Sequence, residues 1–260
     1  MTSLGPSPVL ALALTTVLVL AACTAGDAPE PGRTTAADTP GPSATSTPSP
    51  TPTPTTPPTR AEQERLDERL LDAAARGDAR ETAAALARGA RIEARDRRDR
   101  TPLLLAAAAD HLDVARLLVR LGADPNAVDD RSDTPWLVTG VTGSVPMGRL
   151  LLAAGADLTL RNRFGGLSPI PASERGHLEY VRWVVSTDVD LDHVNDLGWT
   201  ALLEAVVLGD GGRRHRDLVQ ALLDAGADPT ITDQQGRTAL QLARQRGHAA
   251  MAAVLEGADR

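Results

Sequence analysis

The chain has 260 residues, 42% hydrophobic but only 2% aromatic, which is enough for one folded domain with extensions and a core built from Leu, Ala and Val. A net charge of −7 argues against a general nucleic-acid binder, whose phosphate affinity comes from clustered positive charge. A single cysteine excludes an internal disulfide and any cysteine-rich metal site.

Residues 1–22 read as a signal peptide. The uncharged run from Val9 to Leu20, VLALALTTVLVL, is shorter than the roughly 20 apolar residues that span a bilayer. It suits the apolar region of a secretory signal. The ending Leu20-Ala21-Ala22-Cys23 resembles a bacterial lipobox. That resemblance implies cleavage before Cys23 and a diacylglycerol thioether on its sulfur. An ordinary signal peptide with a chance cysteine is the alternative, but the only cysteine falls where lipidation needs one. Two or three acyl chains hold a protein firmly at a membrane without a transmembrane helix. The expected location is therefore the outer face of the cell membrane, extracellular or periplasmic, with the membrane contacted through lipidated Cys23.

Residues 23–60 form a linker of Thr, Pro, Ser, Ala and Gly that closes on STPSPTPTPTTPPT. Such a composition buries too little apolar surface to fold, and its prolines favour an extended polyproline II spacer. Ser/Thr-Pro pairs could carry O-linked sugar, or the segment could be a bare tether.

Residues 61–260 are organised around Thr101–Asn126, TPLLLAAAADHLDVARLLVRLGADPN. Thr101 can cap a helix that begins at Pro102. A first helix is expected over Leu103–Ala109 and a second over Leu112–Leu121, with Gly122 closing the second. Val114, Leu117, Leu118 and Leu121 share one stripe at helical spacing. Two helices this short need copies to stack against. Steps of 33 from Thr101 reach Thr134, Leu167 and Thr200, and one step back reaches Glu68; a last step with five extra residues reaches Thr238. The helix-ending pairs Gly89-Ala90, Gly122-Ala123, Gly155-Ala156, Thr187-Asp188 and Gly226-Ala227 hold the same register.

This turn–helix–helix grammar with a period of about 33 resembles the ankyrin-repeat family. The resemblance runs from about Leu66 to the C-terminus and implies an all-α ankyrin-repeat solenoid of about six repeats with short hairpin fingers. Charged residues around Glu62–Arg69 mark the first copy as an end cap, and the last copy is the other cap. The family's Thr-Pro-Leu-His is altered in every copy, beginning with Thr101-Pro102-Leu103-Leu104, and its histidine is missing throughout. The hydrogen bond which that histidine gives between neighbouring repeats is thereby in doubt. A turn glycine stands at Gly165, Gly198 and Gly236 but is Asp99 and Ser132 in earlier copies. Those two hairpins should be strained. The five extra residues around Leu208–Arg214 should enlarge the turn between the fifth pair of helices, with Arg213, Arg214 and Arg216 making a positive patch.

His111, His177, His215 and His248 share one repeat position, just before the second helix, so they are related by translation and do not converge. No His-Glu-x-x-His, Cys/His cluster or phosphate loop occurs, and no serine sits in a nucleophile elbow. No catalytic residue, metal site or cofactor is expected. In ankyrin-type stacks the hairpin tips and the exposed side of the first helices form the docking surface. The tip residues Arg97, Arg98, Arg161, Arg163, Phe164, His193, Trp199 and Arg237 are the partner-binding candidates, with Arg213 and Arg214 in the insertion. Trp and Arg dominate binding hot spots. Trp136 and Trp183 align with Leu103 and Leu117 and read as core. Trp199 divides evenly between a contact and a structural cap, whereas Phe164 leans toward capping its own hairpin. The leading expectation is a monomeric, non-catalytic adaptor for an unidentified protein. The alternatives are an immunity or inhibitor protein against a secreted toxin or hydrolase and, behind it, an envelope enzyme.

Overall fold

A computed structural model of the chain describes residues 58–258. The signal segment, Cys23 and nearly all of the linker lie outside the described residues. Within them the chain forms twelve helices in six consecutive pairs: α1 (Arg60–Arg76) and α2 (Ala79–Ala87), α3 (Pro102–Ala108) and α4 (Leu112–Arg120), α5 (Leu137–Thr142) and α6 (Val145–Ala153), α7 (Pro169–Glu174) and α8 (Leu178–Val184), α9 (Ala201–Val207) and α10 (Arg213–Asp224), α11 (Ala239–Gln245) and α12 (Ala249–Ala258). First helices pack on first helices and second on second. No helix among the described residues is long and apolar enough to cross a membrane.

The punctuation of each pair follows from its sequence. Thr101, Thr134, Thr200 and Thr238 each accept, through the side-chain hydroxyl, the backbone N–H three residues on, at 3.1–3.4 Å. This satisfies donors that a helix start leaves free. At the second helix ends Ala90, Ala123, Ala156 and Ala227 each donate 3.0 Å back to the carbonyl five residues earlier. The glycine before each alanine holds a left-handed φ of 89–98°, completing the Schellman closure. In the fourth pair, where glycine is replaced, the Ser186 and Thr187 hydroxyls cap the carbonyls of Trp183 and Val184 at 2.6 Å.

One apolar cluster runs from Ala74 to Leu255, so the core is continuous across the pairs. Trp136 and Tyr180 are fully buried and Trp183 nearly so. Their rings meet edge to face, Trp136–Trp183 at 6.0 Å and Tyr180–Trp183 at 5.5 Å. Burial pushes the Tyr180 hydroxyl up to about 12, and its oxygen lies 2.7 Å from Thr139 Oγ1. Helix α5 approaches the backbone before α7 so closely that a Cβ on Gly140 would run into the Ser168 carbonyl oxygen. In α4 Val114 and Leu118 are buried, but Leu121, expected on the same stripe, is 54% exposed because it caps the helix rather than facing the core.

The contact between neighbouring pairs that the missing family histidine left in doubt is made by other histidines. His111 Nε2 lies 3.1 Å from Ala75 O, His177 Nε2 lies 3.0 Å from Val141 O, and His215 Nε2 lies 3.1 Å from Glu174 O. Each ring reaches back to a carbonyl near the end of the preceding first helix. At His111 and His177 it covers a glycine, Gly77 or Gly143, where a Cβ would collide with it.

The insertion corrects the expected layout. Only part of it widens the turn; Arg213 and Arg214 form the first turn of α10, and His215, expected just before the helix, is its third residue. Asp210 anchors the shortened loop, its Oδ1 accepting from Gly212 N at 2.9 Å and lying 2.8 Å from His215 Nδ1. The arginines there are partly neutralised, with Arg213 3.6 Å and Arg216 3.2 Å from Asp217 carboxylate oxygens.

The hairpins that expected strain do hold it. Asp99 and Ser132 adopt φ of 56° and 59°, the left-handed backbone that Gly165, Gly198 and Gly236 take in later copies. A non-glycine residue there costs about 1–2 kcal/mol, less for Asp, and glycine gives back part of that gain through its greater freedom when unfolded. Ser132→Gly is therefore expected to stabilise the domain by about 0.5–1 kcal/mol, with a smaller gain for Asp99→Gly. Urea denaturation followed by circular dichroism measures this; a loss of stability in Ser132→Gly would contradict it.

Candidate docking groove

The hairpins are fastened by one device repeated along the chain. Asp96, Asp129, Asn162, Asn195 and Asp233 each accept, through Oδ1, the backbone N–H groups two and four residues on, at 2.8–3.0 Å. Neighbouring hairpins are tied by backbone bonds, Asp130 N to Arg98 O at 3.1 Å, Arg163 N to Arg131 O at 3.2 Å and Asp196 N to Phe164 O at 2.9 Å. The result is a row of preformed tips beside the first helices. Rigid tips lose little conformational freedom on docking.

Between the tips and the first helices of the third, fourth and fifth pairs lies a groove of about 390 Å³. Val138 and Val141 of α5, Ile170, Pro171 and Glu174 of α7, and Glu204 of α9 form its helical side; Arg131, Asp133, Arg163, Phe164, Asn195 and Leu197 come from the hairpins. Seven large apolar residues are exposed among the described residues, and four of them, Val141, Phe164, Leu197 and Leu208, line this groove. Such clustering marks an interaction surface rather than scattered surface residues.

The sequence-derived candidates separate on this geometry. Phe164 is 47% exposed on the groove, with the Arg163 guanidinium stacked on its ring 4.2 Å from the centroid. Arg163 also lies 3.9 Å from Asp133. Trp199, partly buried, instead packs against the core. His193 Nε2 lies 2.6 Å from Gly165 O and ties one hairpin to the previous one. Arg237 is engaged by Asp233 of its own hairpin at 2.6 and 2.9 Å. Arg98 faces Asp130 at 3.8 Å on the hairpins of the second and third pairs. Arg97 and Arg161 are exposed and have no ion-pair partner among the described residues. None of the other six lines the groove, nor do Arg213 and Arg214.

Sequence reasoning missed Glu204. It is only 5% exposed, and its Oε2 has no hydrogen-bond partner among the described residues. Burial, with the Glu174 charge beside it, pushes its carboxyl up to about 7, and the Asn195 amide offsets this only in part. Asp133 on the hairpin side is also raised, by burial and by Asp129. The signal was present in the register: Glu204 stands where four other copies have Leu105, Val138, Pro171 and Leu242, and the first, capping copy has the exposed Asp72. The histidines offer no comparable arrangement, since three of them are spent on carbonyls between pairs.

The comparisons with known proteins agree with this architecture. The family model described as ankyrin repeats (3 copies) matches residues 70–162 and 143–233. The chain is 38% identical over 186 residues to the ankyrin repeat protein YahD of Escherichia coli K12, covering 71% of this chain and 92% of that protein. It is also similar to a crystallised ankyrin repeat domain from Acinetobacter baumannii AYE, with 43% identity, a TM-score of 0.69 and coverage of 73% of this chain and 97% of the other. A further crystallised ankyrin repeat protein matches at 34% identity with the same TM-score and coverage.

Proposed function

The chain belongs to the ankyrin-repeat family, and from that premise we propose that it is a non-catalytic protein-binding module of a bacterial cell envelope. It holds its partner in the groove between the hairpin tips and the first helices of its third to fifth pairs. Ankyrin repeats serve as protein–protein interaction modules, which supports the general reading. The observation that carries the choice of site is the gathering of Val141, Phe164, Leu197 and Leu208 around one groove. The lipobox-like Leu20-Ala21-Ala22-Cys23 supports attachment to the outer face of the cell membrane through lipid on Cys23, and the Pro/Thr-rich linker supports a spacer between that face and the domain.

Recovery of partners from solubilised membranes tests the site. Phe164→Ala is expected to lower the recovery of a specific partner about tenfold, since a central aromatic anchor contributes 1.4 kcal/mol or more at a hot spot. Arg116→Ala, an exposed change on α4 away from the groove, should leave recovery unchanged. Equal recovery of every partner with both variants would contradict the groove as the docking site.

A further inference from the structure

The surface outside the groove is largely accounted for. Four of the five histidines bridge repeats, the acidic residues at the hairpins accept their own backbone N–H groups, and Arg213 and Arg216 face Asp217. Glu204 is not accounted for. A carboxylate that is nearly all buried is ordinarily paired or richly hydrogen-bonded, yet one oxygen of Glu204 has no partner among the described residues while its side chain lines an open groove. Leucine, valine or proline fills the same position in four other copies, so the fold itself has no need of an acid there.

We propose that Glu204, with Glu174 beside it, receives the charged head of a lysine or arginine side chain presented by the partner protein. The inference rests on the groove being the docking site. Charge complementarity selects the occupant: two acids converge on the floor, and a cation desolvated against them completes an ion pair that the isolated protein lacks. The walls select the length. Val138, Val141, Ile170, Pro171 and Leu208 offer apolar surface leading to the carboxylates, which fits a side chain with a methylene stem and a charged tip. Of the three arginines in the groove, Arg131 and Arg163 lie on its hairpin side, where Arg163 is committed to the Phe164 ring and the Asp133 carboxylate, while Arg175 follows the last residue of α7. Arg131 and Arg175 line the groove without closing on Glu204.

Panning a displayed random-peptide library against the full chain tests this. The expected result is a set of peptides sharing one lysine or arginine among apolar residues. Replacing that residue by norleucine, or Glu204 by Leu or Gln, should each weaken binding about tenfold or more in fluorescence anisotropy. The two changes together should weaken it no further than either alone, the mark of a direct pair in a double-mutant cycle. Losses that simply add would overturn the proposal. So would tight binding by peptides without a cation. Peptides that depend on Phe164 but ignore Glu204 would overturn the cation pocket and leave the docking groove standing. Peptides that ignore both residues, or no enrichment at all, would count against both. Concentration-dependent self-association abolished by Glu204→Leu would assign the groove to a second copy of the chain and likewise overturn the proposal.

Discussion

Replacing Glu204 by leucine is expected to raise the unfolding free energy at pH 7 by about 2–3 kcal/mol. The wild-type carboxyl is pushed from the ordinary 4.5 to about 7 by burial and by Glu174. The folded protein therefore keeps a proton that the unfolded chain releases between those values. Where the folded state binds more protons, stability falls as pH rises. The wild type should thus lose stability from about pH 4.5 to about pH 7 through this residue, with no further loss from it above that interval. Glu204→Leu and Glu204→Gln should both remove this slope, and Leu should add apolar contact like that of its counterparts Leu105 and Leu242. The carboxylates held below their usual range, Asp67 and Asp96 with Arg91 and Arg100 beside them, have the opposite sign and act at lower pH. They are unchanged in the variants, so the difference between wild-type and variant denaturation curves isolates Glu204. Identical slopes would contradict its burial as a proton-holding acid.

The second large effect is in the core. Trp136→Ala is expected to destabilise the domain by about 3–5 kcal/mol, the usual result of truncating a fully buried aromatic. Trp136 has no exposed surface and meets Trp183 edge to face at 6.0 Å, so its removal leaves a cavity at the junction of the third and fourth pairs. Repeat stacks depend on such interfaces between neighbours, so the loss should reach helices on both sides. Denaturant unfolding by circular dichroism measures it. Phe164→Ala, on the groove surface, should change stability by no more than about 0.5 kcal/mol. A Trp136→Ala change as mild as that would place this residue outside the core.

Much of the stack was legible in the sequence because its signals are local and repeated. The threonines before four of the first helices and the glycines after four of the second helices have one physical use each, and the structure realises both at the expected positions. The strained turns at Asp99 and Ser132 were legible for the same reason: a position needing left-handed backbone shows its need when glycine occupies it elsewhere. The site was less legible because contacts between pairs decide it. Trp199 and Phe164 both belong to hairpins in sequence. Trp199 precedes the capping Thr200 at the hairpin base and reaches the core, while Phe164 sits at the tip beside Arg163. The insertion was misplaced because Arg213 and Arg214, polar and glycine-flanked, read as loop, whereas they extend α10 by part of a turn. Glu204 could have been found by aligning the copies column by column rather than by searching for motifs.

Selection for binding leaves a mark when a residue opposes the stability of its own fold. The most direct measurement is therefore made on one variant in two ways: the unfolding free energy of Glu204→Leu at pH 7, and its affinity for the cation-bearing peptide that wild type selects. A protein that is more stable yet binds about tenfold or more weakly is the predicted result. A variant that is no more stable and binds as well would contradict it.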